Sequence, residues 1–151
     1  MPRIRVADDG DVAALVSLRR AWSEENAGRA VDDDRFESAF AAWWSAERTT
    51  RTFFVVEIDG AIVGMANVKR YDRMPTVGHA GGSWGYVGNV FVLAPHRNAG
   101  LGDALMQHVA AWAWSMGMQH LRLAPSPAST SFYARLGFEA GSVVELNPPM
   151  T

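Results

Sequence analysis

The sequence predicts an α/β fold: a mixed, mostly antiparallel central sheet of about seven strands with helices on both faces. Three observations predict it. Short β-branched and aromatic runs alternate with longer segments of helical period. Asp59-Gly60 joins two such runs as a hairpin, which makes them antiparallel. Between residues 84 and 123 a strand, a helix and a strand follow in order, and that crossover makes parallel neighbours.

The elements follow in order. Arg3 to Val6 alternates polar and apolar and reads as the first strand. Asp8 and Asp9 precede Val12, Leu15, Val16 and Trp22, an N-capped amphipathic helix with acid at its positive end. Ala27-Gly28 breaks it. Asp32, Asp33 and Asp34 begin a second helix with the stripe Phe36, Phe40, Trp43 and Trp44. Thr52 to Ile58 and Ala61 to Lys69 are the hairpin strands. Asp72 to Gly82, with Pro75, Gly78, Gly81 and Gly82, is a loop. Trp84 to Leu93 is a strand. Leu101 to Met116 is a helix with Leu101, Leu105, His108, Val109, Trp112 and Met116 on one face, ended by Gly117. Met118 to Leu123 is a strand, Ser129 to Leu136 a short helix, and Phe138 to Leu146 a closing strand pair around Gly141.

Length and composition bound the function. The 151 residues, 48% hydrophobic and 20% charged, suit one domain over residues 1–151 with a core of ordinary size. A net charge of -2 does not suit a general nucleic-acid binder. Lys69 is the only lysine. With no cysteine, disulfides, thiolate metal sites and a cysteine nucleophile are excluded, and no metal is expected. No apolar run has the roughly 20 residues of a membrane helix, and the N-terminus lacks a signal-peptide core, so a cytoplasmic protein is the expectation.

The chemistry concentrates after the strand ending Val90-Phe91-Val92-Leu93. There the chain runs through Arg97-Asn98-Ala99-Gly100-Leu101-Gly102 into the long helix. The first helical turn has free N–H groups and the positive end of the helix dipole, a ready anion site. Gly100 and Gly102 let a ligand approach the backbone. A glycine pair alone is equally an ordinary strand–helix connection. The phosphate loop that ends Gly-Lys-Ser/Thr is excluded by Gly102-Asp103-Ala104, and the three-glycine dinucleotide pattern by Asp103, Ala104 and Leu105.

Arg97, Gly100 and Gly102 match Q/R-x-x-G-x-G/A, the acetyl-CoA signature of the GNAT superfamily, and Phe132-Tyr133-Ala134-Arg135-Leu136-Gly137-Phe138 resembles its second signature. The order of elements is similar over essentially the whole chain. The resemblance implies acetyl-CoA as co-substrate and a fourth and fifth strand that splay apart. The cofactor's arm would pair with Val90, Phe91 and Val92 as an added strand does. Its pyrophosphate would meet the amides of Asn98, Ala99, Gly100, Leu101, Gly102 and Asp103, helped by Arg97. Ser126 stands where relatives often carry asparagine, and Ala99 where they carry lysine or arginine. Asp103 suits the helix dipole but not a phosphate, so its side chain is expected to point away.

The resemblance makes Tyr133 the general acid that protonates the departing thiolate. It implies transfer of an acetyl group to a primary amine, on a small molecule or a peptide N-terminus. The base is not legible: relatives use a glutamate where Gly88 stands, and His120 is one substitute. A non-catalytic acyl-CoA-binding domain therefore stays open. Glu24, Glu25 and Asp32 to Asp34 would form an acidic mouth for a cationic amine, or simply helix ends. Trp84, Tyr86 and Asn89 are candidates for the acceptor side. Exposed members of the pairs Trp43/Trp44 and Trp112/Trp114 would give a homodimer face.

Overall fold

In the computed structural model, which describes residues 1–150, the β-branched runs assemble into one sheet of five strands in chain order. These are β1 (Arg3–Val6), β2 (Arg51–Ile58), β3 (Ala61–Asp72), β4 (Ser83–Val92) and β5 (Met118–Arg122). The first three pairings are antiparallel, and β4 with β5 is parallel. Asp59 and Gly60 both take left-handed φ, 50° and 81°, as a two-residue hairpin that matches strand twist demands.

Strand period decides the two cores. Phe54 and Val56 of β2 point to one face, and Phe53 and Val55 to the other; all four are buried. The first face is covered by α3 (Leu101–Ser115) and α4 (Thr130–Arg135), through Leu105, Met106, Val109 and Ala113. The second is covered by α1 (Val12–Ala27) and α2 (Phe36–Glu47), through Leu15, Leu18 and Trp44. Each leucine, methionine or valine among them contributes roughly 1.5–3 kcal/mol by leaving water. A capping box fixes the short helical turn Asp9–Asp11 that leads into α1. Asp8 accepts from the Gly10 amide, and Asp11 accepts from the Asp8 amide, both at 2.9 Å.

Two expectations need correction, the strand count and the start of the second helix. The sheet has five strands, because residues 138–150 form no regular structure. Val143, Val144 and Leu146 lie exposed, and the small residues Ala140, Gly141 and Ser142 offer nothing to pack, so burial does not offset the cost of ordering a strand pair. The second helix begins at Phe36, since Asp32 and Asp33 lie in irregular chain and Asp34 in the turn before it. Trp43, Trp44 and Trp112 pack inward, leaving only Trp114 of the two pairs exposed.

One irregularity positions the site. Pairing between β4 and β5 ends at Tyr86↔Arg122. From Val87 onward the side of β4 that faced β5 has no strand partner, while its other side stays paired to β3 through Val92. The β3–β4 ladder carries a bulge between Met65 and Asn67, and opposite it Asn89 takes a left-handed φ of 55°. Strands β4 and β5 therefore diverge into a wedge.

Candidate active site

The wedge opens as a groove of about 1270 Å³ that runs from Arg51, Lys69 and Tyr86 past Val90–Val92 to the loop before α3 and to α4. A short helical turn, Ala94–His96, leaves β4, with Pro95 in its first turn. Asn98 then takes φ 63° and Gly100, the residue before α3, φ 80°. The first backbone bond of α3 is donated by the Ala104 amide to the Gly100 carbonyl, at 3.0 Å. Among the described residues the amides of 98 to 103 donate to no protein acceptor. Loop and helix start thus present a concave array of unspent N–H groups beside the groove.

The side chains of this loop behave differently from its backbone. Arg97 is held by protein. Its two terminal nitrogens donate to Glu25 of α1 at 2.6 and 2.7 Å, and its Nε donates to the Val92 carbonyl at 2.8 Å. Each partner stabilises the charge of the other: the hydrogen bond from Arg97 lowers the Glu25 carboxyl, and Glu25 raises the guanidinium. Arg97 lines the groove and at the same time ties the end of α1 to the end of β4. Asp103 is exposed at the groove rim. Ser126 also lines the groove, with its hydroxyl 2.9 Å from that of Ser129.

Tyr133 comes from α4 and is the buried residue of that helix. Its ring meets Phe132 and Phe138 edge-on, with centroids 4.9 and 5.6 Å away. The hydroxyl has no protein partner among the described residues, and the side chain lines the groove. Burial pushes the phenol above its ordinary value, so it is a full proton donor at neutral pH. Phe132 fixes where this helix sits: its ring packs where a Cβ on Gly102 would be, 3.2 Å away. The start of α3 is thereby packed against the helix that carries Tyr133.

The opposite end of the groove holds residues that sequence reasoning missed. Arg51 donates to Asn67 Oδ1 at 2.7 Å, and Asn67 donates to Asn89 Oδ1 at 2.8 Å. A Cβ on Gly88 would sit 3.4 Å from that Asn67 oxygen and 3.9 Å from Arg51 Nη1. Where relatives carry a carboxylate, a guanidinium therefore approaches bare backbone. The signal for Arg51, Asn67 and Lys69 was polar residues on strands otherwise apolar, but neighbours across strands are invisible in one dimension. Of the acceptor-side candidates, Tyr86 and Asn89 line the groove and Trp84 does not. Nor does His120, which stacks on Trp84 and lies 3.1 Å from Arg73. The acidic mouth is not assembled. Glu24 accepts from the Val31 amide, Glu25 is taken by Arg97, and Asp32 to Asp34 stand outside the groove.

Comparison with known proteins agrees with this geometry. The chain is similar along its length to a predicted acetyltransferase from Clostridium acetobutylicum solved with acetyl-CoA, at 21% identity and TM-score 0.78, covering 97% of this chain and 96% of that one. It is similar to a GCN5-related N-acetyltransferase from Ralstonia eutropha JMP134, at 24% identity and TM-score 0.74, covering 99% of each. It is also similar to glucosamine-6-phosphate N-acetyltransferase from Arabidopsis thaliana, at 18% identity and TM-score 0.71, covering 98% of each. Among curated proteins no sequence match is found. The model of the acetyltransferase (GNAT) family matches residues 12–138, and on that match the chain belongs to the GNAT acetyltransferase family.

Proposed function

We propose that this protein is an N-acetyltransferase that moves an acetyl group from acetyl-CoA to a primary amine. The observation that carries the reading is the joint geometry of a splayed β4 edge, an array of free amides at the start of α3, and a buried phenol facing the same groove. The edge of Val90–Val92 that no strand covers takes the pantetheine arm as an added strand, beside the Val92 carbonyl already held by Arg97, and the amides of residues 98 to 103 take the pyrophosphate. Ser126 adds a hydroxyl from the β5 side. The likeness to an acetyltransferase solved with acetyl-CoA supports the choice of donor.

The amine nitrogen bonds to the thioester carbon, the carbon–sulfur bond breaks, and Tyr133 gives its proton to the departing sulfur. The proton lost by the nitrogen passes to water, which restores the phenol. Such acid help is worth roughly 10²–10⁴-fold. No carboxylate from this chain lines the acceptor end of the groove, so the amine enters already neutral or loses its proton to water.

The test is a thiol-release assay with acetyl-CoA across a panel of amines. Turnover is expected, and Tyr133→Phe should lower kcat by at least about tenfold while leaving acetyl-CoA affinity within a factor of about three. Full activity in that variant removes Tyr133 as the acid. Thermal stabilisation by acetyl-CoA without turnover on any amine would instead make the protein an acyl-CoA-binding module, the reading that the bare Gly88 position favours.

A further inference from the structure

The acceptor end of the groove has a charge of its own. Arg51 and Lys69 both line it, together with Tyr71 and Tyr86. Among the described residues their only carboxylate partner is Glu47, whose Oε2 lies 3.5 Å from Arg51 Nε and 3.3 Å from Lys69 Nζ. One carboxylate shared by two cations leaves this end net positive. The sharing is loose on the Arg51 side. At 3.5 Å the Nε–H makes no proper hydrogen bond to Glu47, and it is the one buried side-chain polar atom left without a partner among the described residues. Burial acts to raise the Glu47 carboxyl, yet the hydrogen bond from Lys69 and the charge of Arg51 outweigh it, so Glu47 stays ionised and the cations stay coupled to it.

The guanidinium is also pre-positioned. It lies over the Trp43 ring at 5.3 Å, and it is locked by Asn67, which is 2% exposed and is itself locked by Asn89. A planar donor fixed by a ring on one side and an amide on the other loses little entropy when it binds a planar anion. Beyond Tyr71 and Tyr86 the same face carries Trp84 with Arg122 above it at 4.6 Å, so the positive potential extends outward from the groove. An ammonium-rich acceptor would meet two cations here and no free carboxylate.

We propose that the acceptor amine itself carries an anionic group, a carboxylate or a phosphate, and that Arg51, with Lys69, clamps that group while the amine faces the thioester. This rests on the N-acetyltransferase reading and names its substrate class. Arg51 is on this account a specificity-determining residue. Residue 88 has no side chain, which leaves the guanidinium open to the groove, and a Cβ there meets only ordinary contacts, so the position accepts a longer residue.

The experiment compares matched pairs of amines with and without the anion: α-amino acids against their amides, and an amino-sugar phosphate against the free amino sugar. Both binding to the CoA-saturated protein, by calorimetry, and turnover are measured. The anionic member should bind and react better by roughly tenfold or more, the worth of one charge-assisted hydrogen-bond pair. Carboxylates and phosphates are separated by which pair shows the larger ratio. In Arg51→Gln and in Gly88→Glu, which adds a carboxylate beside the guanidinium, the ratio should collapse toward one, mainly through KM. Retained CoA binding certifies the fold of each variant. Equal binding of both members by the wild type, or an anion preference that survives both variants, overturns the inference. Selective anion binding without any turnover would instead sink the acetyltransferase reading and leave the clamp standing.

Discussion

Asp11 does the work of several residues at the start of the chain. Its carboxylate receives two hydrogen bonds from Arg5 of β1, at 2.8 and 2.9 Å, and one from the Asp8 amide, so a single side chain joins strand, capping box and helix. The hydrogen bonds from Arg5 hold it below the ordinary carboxylate value of 3.8 against the opposing effect of burial. A carboxyl depressed in the folded state binds its proton more readily when unfolded. Its stabilisation is therefore complete above pH about 4 and is lost as pH falls through the folded value. Asp11→Asn should cost about 1–3 kcal/mol at pH 7 in urea melts, and the gap from wild type should narrow at pH 3. A gap of the same size at both values would show that packing, and not charge, is what Asp11 supplies. Tyr133 has the reverse sign. Burial raises its phenol, so the protonated form that the proposed acid role requires persists through neutral and mildly alkaline pH.

At the scale of elements, the site depends on how α4 is held. This helix has only six residues and cannot be stable alone, so its place comes from packing. The Phe132 ring against Gly102 is the contact that sets its distance from the anion loop. Gly102→Val should push α4 outward, and kcat/KM for acetyl-CoA should fall by roughly tenfold or more, since a 1 Å misplacement is enough for such losses. Unchanged kcat/KM would mean that α4 is positioned from elsewhere.

The loop, α3 and Tyr133 were legible in the sequence because each is a local pattern: strand, glycines, helix, then a short aromatic helix. Glu25 as the partner of Arg97 was not, because 72 residues separate them and only the packing of α1 brings them together. Arg51 and Asn67 escaped for the same reason, since only the pairing of three strands brings them to Asn89. The closing strand pair failed in the other direction. Val143, Val144 and Leu146 have strand propensity but find no surface to cover.

At the scale of the whole molecule, the proposed donor site lies where sheet and helix layer meet. Acetyl-CoA should therefore stabilise the fold globally and not only the loop. At 100 times its dissociation constant the gain is about 2.7 kcal/mol, several degrees in Tm for a chain of this length. A thermal scan with and without acetyl-CoA checks this, and an unmoved Tm at saturating concentration would remove the donor assignment. No helix among the described residues is long and apolar enough to cross a membrane.

The divergence of β4 from β5 divides the groove into two materials. On the proposed function the donor half is written in backbone: the strand edge of Val90–Val92 and the amides of residues 98 to 103. Nearly any residue supplies those groups, so substitution there changes the ligand surface little unless it blocks approach. The acceptor half is written in side chains, Arg51, Lys69, Tyr71 and Tyr86, each replaceable without touching a donor amide. Such a molecule can drift to a new acceptor while its acyl donor stays fixed. A directed-evolution library at those four acceptor positions should accordingly yield altered amine selectivity at nearly constant acetyl-CoA affinity.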